Sequence, residues 1–184
     1  MSDVSTIFEL IDAGDAQGVR DVLAADPLAA AGHDENGLTV LMRAAYRGGH
    51  VFDAVRAANP PLEPFDRIMV GESEDLPAPD AWTPDGFTPL HLAAFARNTE
   101  AARKLLDAGA DPNVIATASF ARVTPLGTCA FAGATDVAKL LLEHGADPTI
   151  AEDDRFTPLD AAVENGNAEL AELLRTHMGA NRNS

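Results

Sequence analysis

The chain has 184 residues, of which 46% are hydrophobic and 5% aromatic, enough to bury a sizeable core. Its 29 acidic and 13 basic residues give a formal net charge of −16, which disfavours nucleic acid and anionic membrane surfaces and favours basic partners. A single cysteine excludes an internal disulfide, and no stretch approaches the length of a membrane span.

The first residues predict a helical opening and no export signal. Asp3, Glu9 and Asp12 stand there without a basic region or an apolar core, so we expect no secretory signal and a cytoplasmic protein. Apolar residues then recur through residues 7–23, which predicts two helices.

A seven-residue motif recurs through the rest of the chain. Residues 88–94 read Thr-Pro-Leu-His-Leu-Ala-Ala, and altered copies begin at Thr39, Thr124 and Thr157. The four threonines are 49, 36 and 33 residues apart, and the last spacing is the period of a turn plus two helices that stack on their neighbours. Threonine followed by proline predicts a helix start, because the hydroxyl caps the first turn and proline has no N–H to lose there.

A second motif closes two of the copies. Residues 109–113 read Gly-Ala-Asp-Pro-Asn and residues 145–149 read Gly-Ala-Asp-Pro-Thr, each after an apolar helical run. Gly109 and Gly145 are therefore predicted to end a helix in the left-handed conformation.

Together these motifs resemble those of the ankyrin family over roughly residues 4 to 178, with one gap. The resemblance implies an all-α ankyrin-repeat solenoid with β-hairpin or turn fingers, about five repeats including caps, in a single domain 1–178. Arg175 in the last copy stands where Leu106 and Leu142 occur earlier, as expected of a polar end cap. The predicted segments are the repeats at about 4–33, 34–62, 83–115, 119–151 and 152–178, an insertion at about 60–82, and a short tail at 179–184.

The insertion has an apolar first half and an acidic, proline-rich second half. A tolerated surface loop, a flap over the groove and a dedicated contact arm are all compatible with this composition.

Two sequence columns carry the candidate binding site. Ankyrin proteins use the residue seven after each threonine, and the residue just before it, to line a concave face that holds a partner. Most members of these columns are large and apolar, and four acidic residues on the predicted hairpin edge and concave face, one of them a member of a column, would frame them with negative charge. The predicted partner-binding residues are Tyr46, Phe87, Phe95, Phe131, Phe156, Leu38, Val123, Asp85, Asp153, Asp154 and Glu164.

The sequence therefore predicts a non-enzymatic, monomeric protein-binding module that uses its concave groove and hairpin edge. No catalytic residue, metal site or cofactor is predicted, and the family assigns His91 a structural role within the hairpin. The predicted partner is another protein with a basic or apolar surface, not nucleic acid or membrane. Two alternatives stay open: an accessory or inhibitor subunit that masks a partner's site through the 60–82 insertion, and a ligand-binding protein or enzyme with a pocket between insertion and groove.

Overall fold

A computed structural model describes residues 4–119, 121–151 and 156–181. Contacts divide the chain into two compact units, with the boundary between Asp66 and Arg67. The single-domain interpretation stays a prediction.

Unit 1 contains two helix pairs. The first pair is α1 (Val4–Ala13) and α2 (Ala16–Ala25), and the second is α3 (Val40–Arg47) and α4 (Gly49–Ala57). A short 3-10 helix, Pro27–Ala31, follows α2. Helix α1 packs on α3 and α2 packs on α4, so the apolar faces of the two pairs meet. The buried side chains at this contact include Ile7, Ile11, Val19, Leu41 and Val55.

Unit 2 contains three helix pairs in two rows. The inner row is α6 (Pro89–Phe95), α8 (Pro125–Ala132) and α10 (Pro158–Glu164). The outer row is α7 (Thr99–Asp107), α9 (Thr135–Glu143) and α11 (Ala168–Asn181). Helix α11 runs through the first residues of the segment predicted as a tail. Alanines with no exposed surface in both rows allow neighbouring helices to approach closely, and they include Ala93, Ala94, Ala101, Ala102, Ala130 and Ala138.

The predicted helix starts are confirmed. Thr39, Thr88, Thr124 and Thr157 are the N-cap residues of α3, α6, α8 and α10. The Thr39 hydroxyl, for example, accepts a hydrogen bond of 2.9 Å from the Met42 N–H. The hydroxyls of Thr124 and Thr157 likewise accept from the N–H groups of Gly127 and Asp160, which have no partner within their helices.

The left-handed helix ends are confirmed at Gly109 and Gly145, whose φ angles are 93° and 86°. The structure adds a second left-handed position nine residues after each threonine. Glycine occupies it at 48, 133 and 166, with φ angles of 71°, 68° and 72°, and Arg97 occupies it in the remaining copy with φ 56°. An L side chain is strained in this region, so Arg97 holds a conformation that the other copies assign to glycine.

The predicted insertion begins with a helix, α5 (Pro64–Met69). Its opening residues match a repeat start, because Glu63-Pro-Phe-Asp66 corresponds to Thr157-Pro-Leu-Asp160. The Glu63 N–H donates to Asp66 Oδ2 at 3.0 Å, as the Thr157 N–H donates to Asp160 Oδ2 at 2.9 Å. The first half of the insertion is therefore a shortened inner helix in which glutamate has replaced the capping threonine.

Candidate functional site

Phe131 is the most exposed of the predicted aromatic residues. It lies in the last turn of α8, and 63% of its surface is exposed. Phe95 ends α6 and is half-buried, whereas Glu164 ends α10 and is exposed. Since α6 packs on α8 and α8 on α10, these three residues form one row at the ends of the inner helices, which we call the inner-row face of unit 2.

The finger residues of unit 2 are less exposed than Phe131. Phe87 is half-buried and meets the His91 ring edge-on, with 5.8 Å between ring centroids. Val123 is also half-buried, and Phe156 is 36% exposed. Asp153 and Asp154 lie outside the described residues.

The two predicted site residues of unit 1 differ in exposure. Tyr46 is half-buried near the end of α3. Leu38 is only 4% exposed, so its side chain belongs to the core and offers no surface to a partner. The turn before it is closed by two bonds, in which the Leu38 N–H donates to Asp34 Oδ1 and the Asp34 N–H donates back to the Leu38 carbonyl, both at 2.9 Å.

His91 connects one repeat of unit 2 to the next. Its Nε2 lies 2.9 Å from the Val123 carbonyl, which can only accept, so Nε2 carries the proton. Nδ1 then accepts from the Thr88 hydroxyl at 2.8 Å and from the Thr88 N–H at 3.3 Å. Burial, partly opposed by the Val123 bond, lowers the pKa of His91 to about 4, so the ring is neutral. Its bonds extend beyond its own hairpin to the following one.

The thiol of Cys129 is not suited to act as a nucleophile at neutral pH. Cys129 has no exposed surface, and burial raises the pKa of its thiol far above the usual range. Within the described ranges, no group of three or more His, Cys, Asp or Glu side chains is arranged to hold a metal ion.

The second half of the insertion is bonded to the outer row of unit 2. The Asn98 side-chain amide donates to the carbonyls of Ile68 and Glu72, at 3.2 and 2.7 Å. Lys104 donates to the Ser73 carbonyl at 3.1 Å and to the Glu74 carboxylate at 2.6 Å. These bonds hold residues 67–74 against α7, and Phe131 on the inner row remains exposed.

Comparison with known proteins adds to this geometry. A family model described as ankyrin repeats (3 copies) matches residues 6–116 and 117–184, nearly the whole chain. The chain belongs to the ankyrin repeat family. Members of this family are generally protein–protein interaction modules and typically not enzymes. A search of curated proteins found no match.

The helices described between Val4 and Asn181 all lack the combination of length and apolar character that crossing a membrane requires. The cytoplasmic location stays a prediction.

A polar recess of about 240 Å³ lies at the turns between inner and outer helices of unit 2, lined by Arg97, Thr99, Gly133, Thr135, Asp136 and Glu169 among others.

Five exposed apolar residues in the described ranges were not among the predicted site residues: Val4, Leu28, Trp82, Ile115 and Val163. Val163 is 54% exposed, although the corresponding residues Ala94 and Ala130 are fully buried. Trp82 is 43% exposed and Ile115 is 38% exposed, both just before the fingers of unit 2. A signal for Trp82 was present, since the only tryptophan of the chain stands between polar and proline-rich residues.

Proposed function

We propose that this chain is a non-enzymatic, monomeric protein-binding module whose site in unit 2 is the inner-row face. The observation that carries the proposal is the 63% exposure of Phe131 in a helix that is otherwise well packed. Covering an exposed phenylalanine contributes a few kcal/mol at about 25 cal/mol per Å², and such side chains dominate binding hot spots. Val123 and Phe156 extend the proposed site toward the fingers, and Tyr46 stays a prediction for unit 1.

Charge supports a basic partner. Glu164 is exposed at the end of the row, and the chain as a whole carries a formal net charge of −16. An acidic rim beside an apolar residue attracts a basic surface at long range and increases the association rate. We therefore propose a protein partner that presents an apolar side chain with basic neighbours.

The contacts of the insertion favour this proposal over a role as a masking arm. Glu72 accepts from Arg67 at 2.9 Å and Glu74 from Lys104 at 2.6 Å, so two of its acidic side chains already have basic partners. An enzyme with a pocket between insertion and groove also receives less support. The polar recess described above is lined by residues outside the insertion.

Capture from an extract of the native host, followed by mass spectrometry, tests the proposal. The bait proteins are the wild type, Phe131→Ala, and Leu28→Ala as a matched control. Leu28 is 82% exposed in the 3-10 helix of unit 1, so its replacement removes a similar exposed apolar surface elsewhere. We expect the partner to be retained by the control and lost from Phe131→Ala.

A further bait distinguishes the insertion. Asp75 is exposed and lies in its acidic half. If Asp75→Asn loses the partner while Phe131→Ala retains it, the masking arm is correct and the inner-row face is not the site. Sedimentation of the purified chain would test the proposed monomer.

A further inference from the structure

The chain contains the tripeptide Glu-Asn-Gly twice, at residues 35–37 and 164–166. In an Asn-Gly pair the glycine nitrogen can attack the side-chain carbonyl carbon of the asparagine, because glycine has no Cβ to obstruct the approach and its backbone is conformationally permissive. Asn36 and Asn165 are both exposed, so water reaches both pairs. Each attacking N–H donates one backbone hydrogen bond, at 3.0 Å from Gly37 and 3.1 Å from Gly166. Local sequence, exposure and the bond of the attacking nitrogen are therefore alike in the two copies.

The two asparagine side chains are held differently. Asn165 is the C-cap residue of α10, and its Nδ2 donates to the Ala161 carbonyl at 2.9 Å. A bond of 2.8 Å from the Asn167 N–H to the Ala162 carbonyl closes the same turn. Asn36 lies in the finger of unit 1, and its side chain has no hydrogen-bond partner among the residues that the structure describes. Its carbonyl carbon can therefore turn toward the following nitrogen without breaking a side-chain bond.

The corresponding finger of unit 2 carries aspartate in place of Asn36. Asp85 and Asn36 each stand three residues before an N-cap threonine, and the glycine after each is left-handed, with φ 89° at Gly37 and 92° at Gly86. The N–H of each glycine donates at 3.0 Å to the carbonyl three residues earlier, so the two turns are closed alike. Asp85 is half-buried, and its Oδ1 accepts from the Thr83 hydroxyl at 2.6 Å. The backbone of such a finger therefore accommodates an aspartate at position 36.

We propose that Asn36 is a site of spontaneous deamidation in the folded chain and that Asn165 is protected. Hydroxide removes the proton of the Gly37 N–H, and the nitrogen attacks Asn36 Cγ to close a cyclic imide. The Cγ–Nδ2 bond breaks, and the leaving nitrogen takes a proton from water and departs as ammonia, which regenerates hydroxide. Water then opens the imide at either carbonyl carbon and gives aspartate or isoaspartate. One water is consumed and one ammonia is released, with no oxidation or reduction.

The two products affect unit 1 differently. Both add a negative charge to a finger that already contains Asp34 and Glu35. Aspartate leaves the main chain as it is. Isoaspartate adds a methylene to the main chain before Gly37 and displaces Leu38 relative to Asp34, so we expect the two bonds of 2.9 Å between Leu38 and Asp34 to be lost. Because Leu38 is buried, the isoaspartate form should be less stable than the aspartate form.

Peptide mapping of the full chain after incubation at mildly alkaline pH tests the proposal, with electron-transfer fragmentation to distinguish aspartate from isoaspartate. We expect Asn36 to react at least about fivefold faster than Asn165, the factor that one net hydrogen bond supplies. Incubation in concentrated urea is the control, since the two identical tripeptides should then react at similar rates. Equal rates in the folded chain, or the same difference in urea, would overturn the protection of Asn165 by the fold. An Asn36 that reacts only in urea would overturn the site itself.

A matched pair of variants assigns the modified residue. Glutamine has one more methylene and closes the imide ring more slowly, so Asn36→Gln should lose the acidic species that accumulates on isoelectric focusing, whereas Asn165→Gln should keep it. The reverse result would place the reaction at the end of α10 and refute the proposal.

Urea unfolding followed by circular dichroism tests the consequence for unit 1. Asn36→Asp should unfold at the same urea concentration as the wild type, and the isoaspartate form, separated by ion exchange, should unfold at a lower one. Equal midpoints for the aspartate and isoaspartate forms would show that the finger does not hold Leu38 in place.

Discussion

Asp66 and Asp160 each accept from one hydroxyl and one backbone N–H but lie in different surroundings, so the structure predicts opposite effects of pH on stability. Asp66 is 1% exposed. It accepts hydrogen bonds from the Thr39 hydroxyl at 2.6 Å and from the Glu63 N–H at 3.0 Å. Asp160 is exposed and accepts from the Thr157 hydroxyl at 2.6 Å and the Thr157 N–H at 2.9 Å. Burial raises the pKa of Asp66, whereas the bonds from Thr157 lower the pKa of Asp160.

The size of each contribution follows from the partners that a truncation strands. Asp66→Ala leaves the Thr39 hydroxyl without an acceptor in the core and the Glu63 N–H near the surface. We expect a loss of about 2 to 3 kcal/mol in the free energy of unfolding. Asp160→Ala should cost less than about 1 kcal/mol, because water can reach both of its donors.

The sign of the pH effect differs between the two. A carboxyl whose pKa is raised by folding binds its proton more readily in the folded state, so the folded chain gains stability as pH falls through the raised pKa of Asp66 toward its ordinary value of 3.8. The free energy of unfolding of the wild type should therefore rise relative to that of Asp66→Asn as pH falls from about 7 to 4. Asp160 contributes stability above its ordinary pKa of 3.8, and this contribution is lost as pH falls below that value. The free energy of unfolding of the wild type should therefore fall relative to that of Asp160→Asn at acid pH.

Urea unfolding of both asparagine variants at several pH values measures these differences. Circular dichroism is the suitable signal, because the only tryptophan, Trp82, lies in unit 2 and would not report on Asp66. Titrations common to wild type and variant cancel in each difference. Differences that change in the same direction for both variants would show that burial does not control Asp66.

Three further predictions concern single positions. Arg97→Gly should raise the free energy of unfolding by up to about 1 kcal/mol, as measured by urea unfolding, because it relieves the strain of φ 56°. Gly133→Ala should lower it by about 1 to 2 kcal/mol, since φ is 68° and a Cβ would lie 2.8 Å from Asn167 Oδ1; an unchanged urea midpoint would contradict this. Leu38→Ala should lower the melting temperature of unit 1 far more than Phe131→Ala lowers that of unit 2, because only Leu38 is buried, and calorimetry would reveal equal losses if this is wrong.

The repeat fold was predictable because its signals are local. A threonine before proline, or a glycine after an apolar run, determines a helix end through hydrogen bonds and φ angles within a few residues. Where a different residue stands at a helix start, the prediction of that helix failed. Glu63 hid the start of α5, although the backbone there follows the other repeats. The left-handed position nine residues after each threonine was not predicted in any copy.

The candidate site was less predictable, because exposure depends on neighbours far along the chain. Leu38 and Phe87 share an alignment column, yet Leu38 is buried and Phe87 is partly exposed. Val163 stands where Ala94 and Ala130 are covered, and it is exposed. Alignment identifies equivalent positions, but packing alone decides which of them reach solvent.

The bonds of His91 have a consequence for local opening. The ring joins the cap of α6 to the carbonyl of Val123 on the next finger, so unfolding either segment breaks bonds of the other. The corresponding residue of the following copy is Gly127, which has no side chain to make this connection. Amide exchange in α6 and in the finger that ends at Val123 should therefore share one opening free energy, whereas α10 can open by itself at a lower one. The His91 ring thus couples the opening of α6 to that of the next finger.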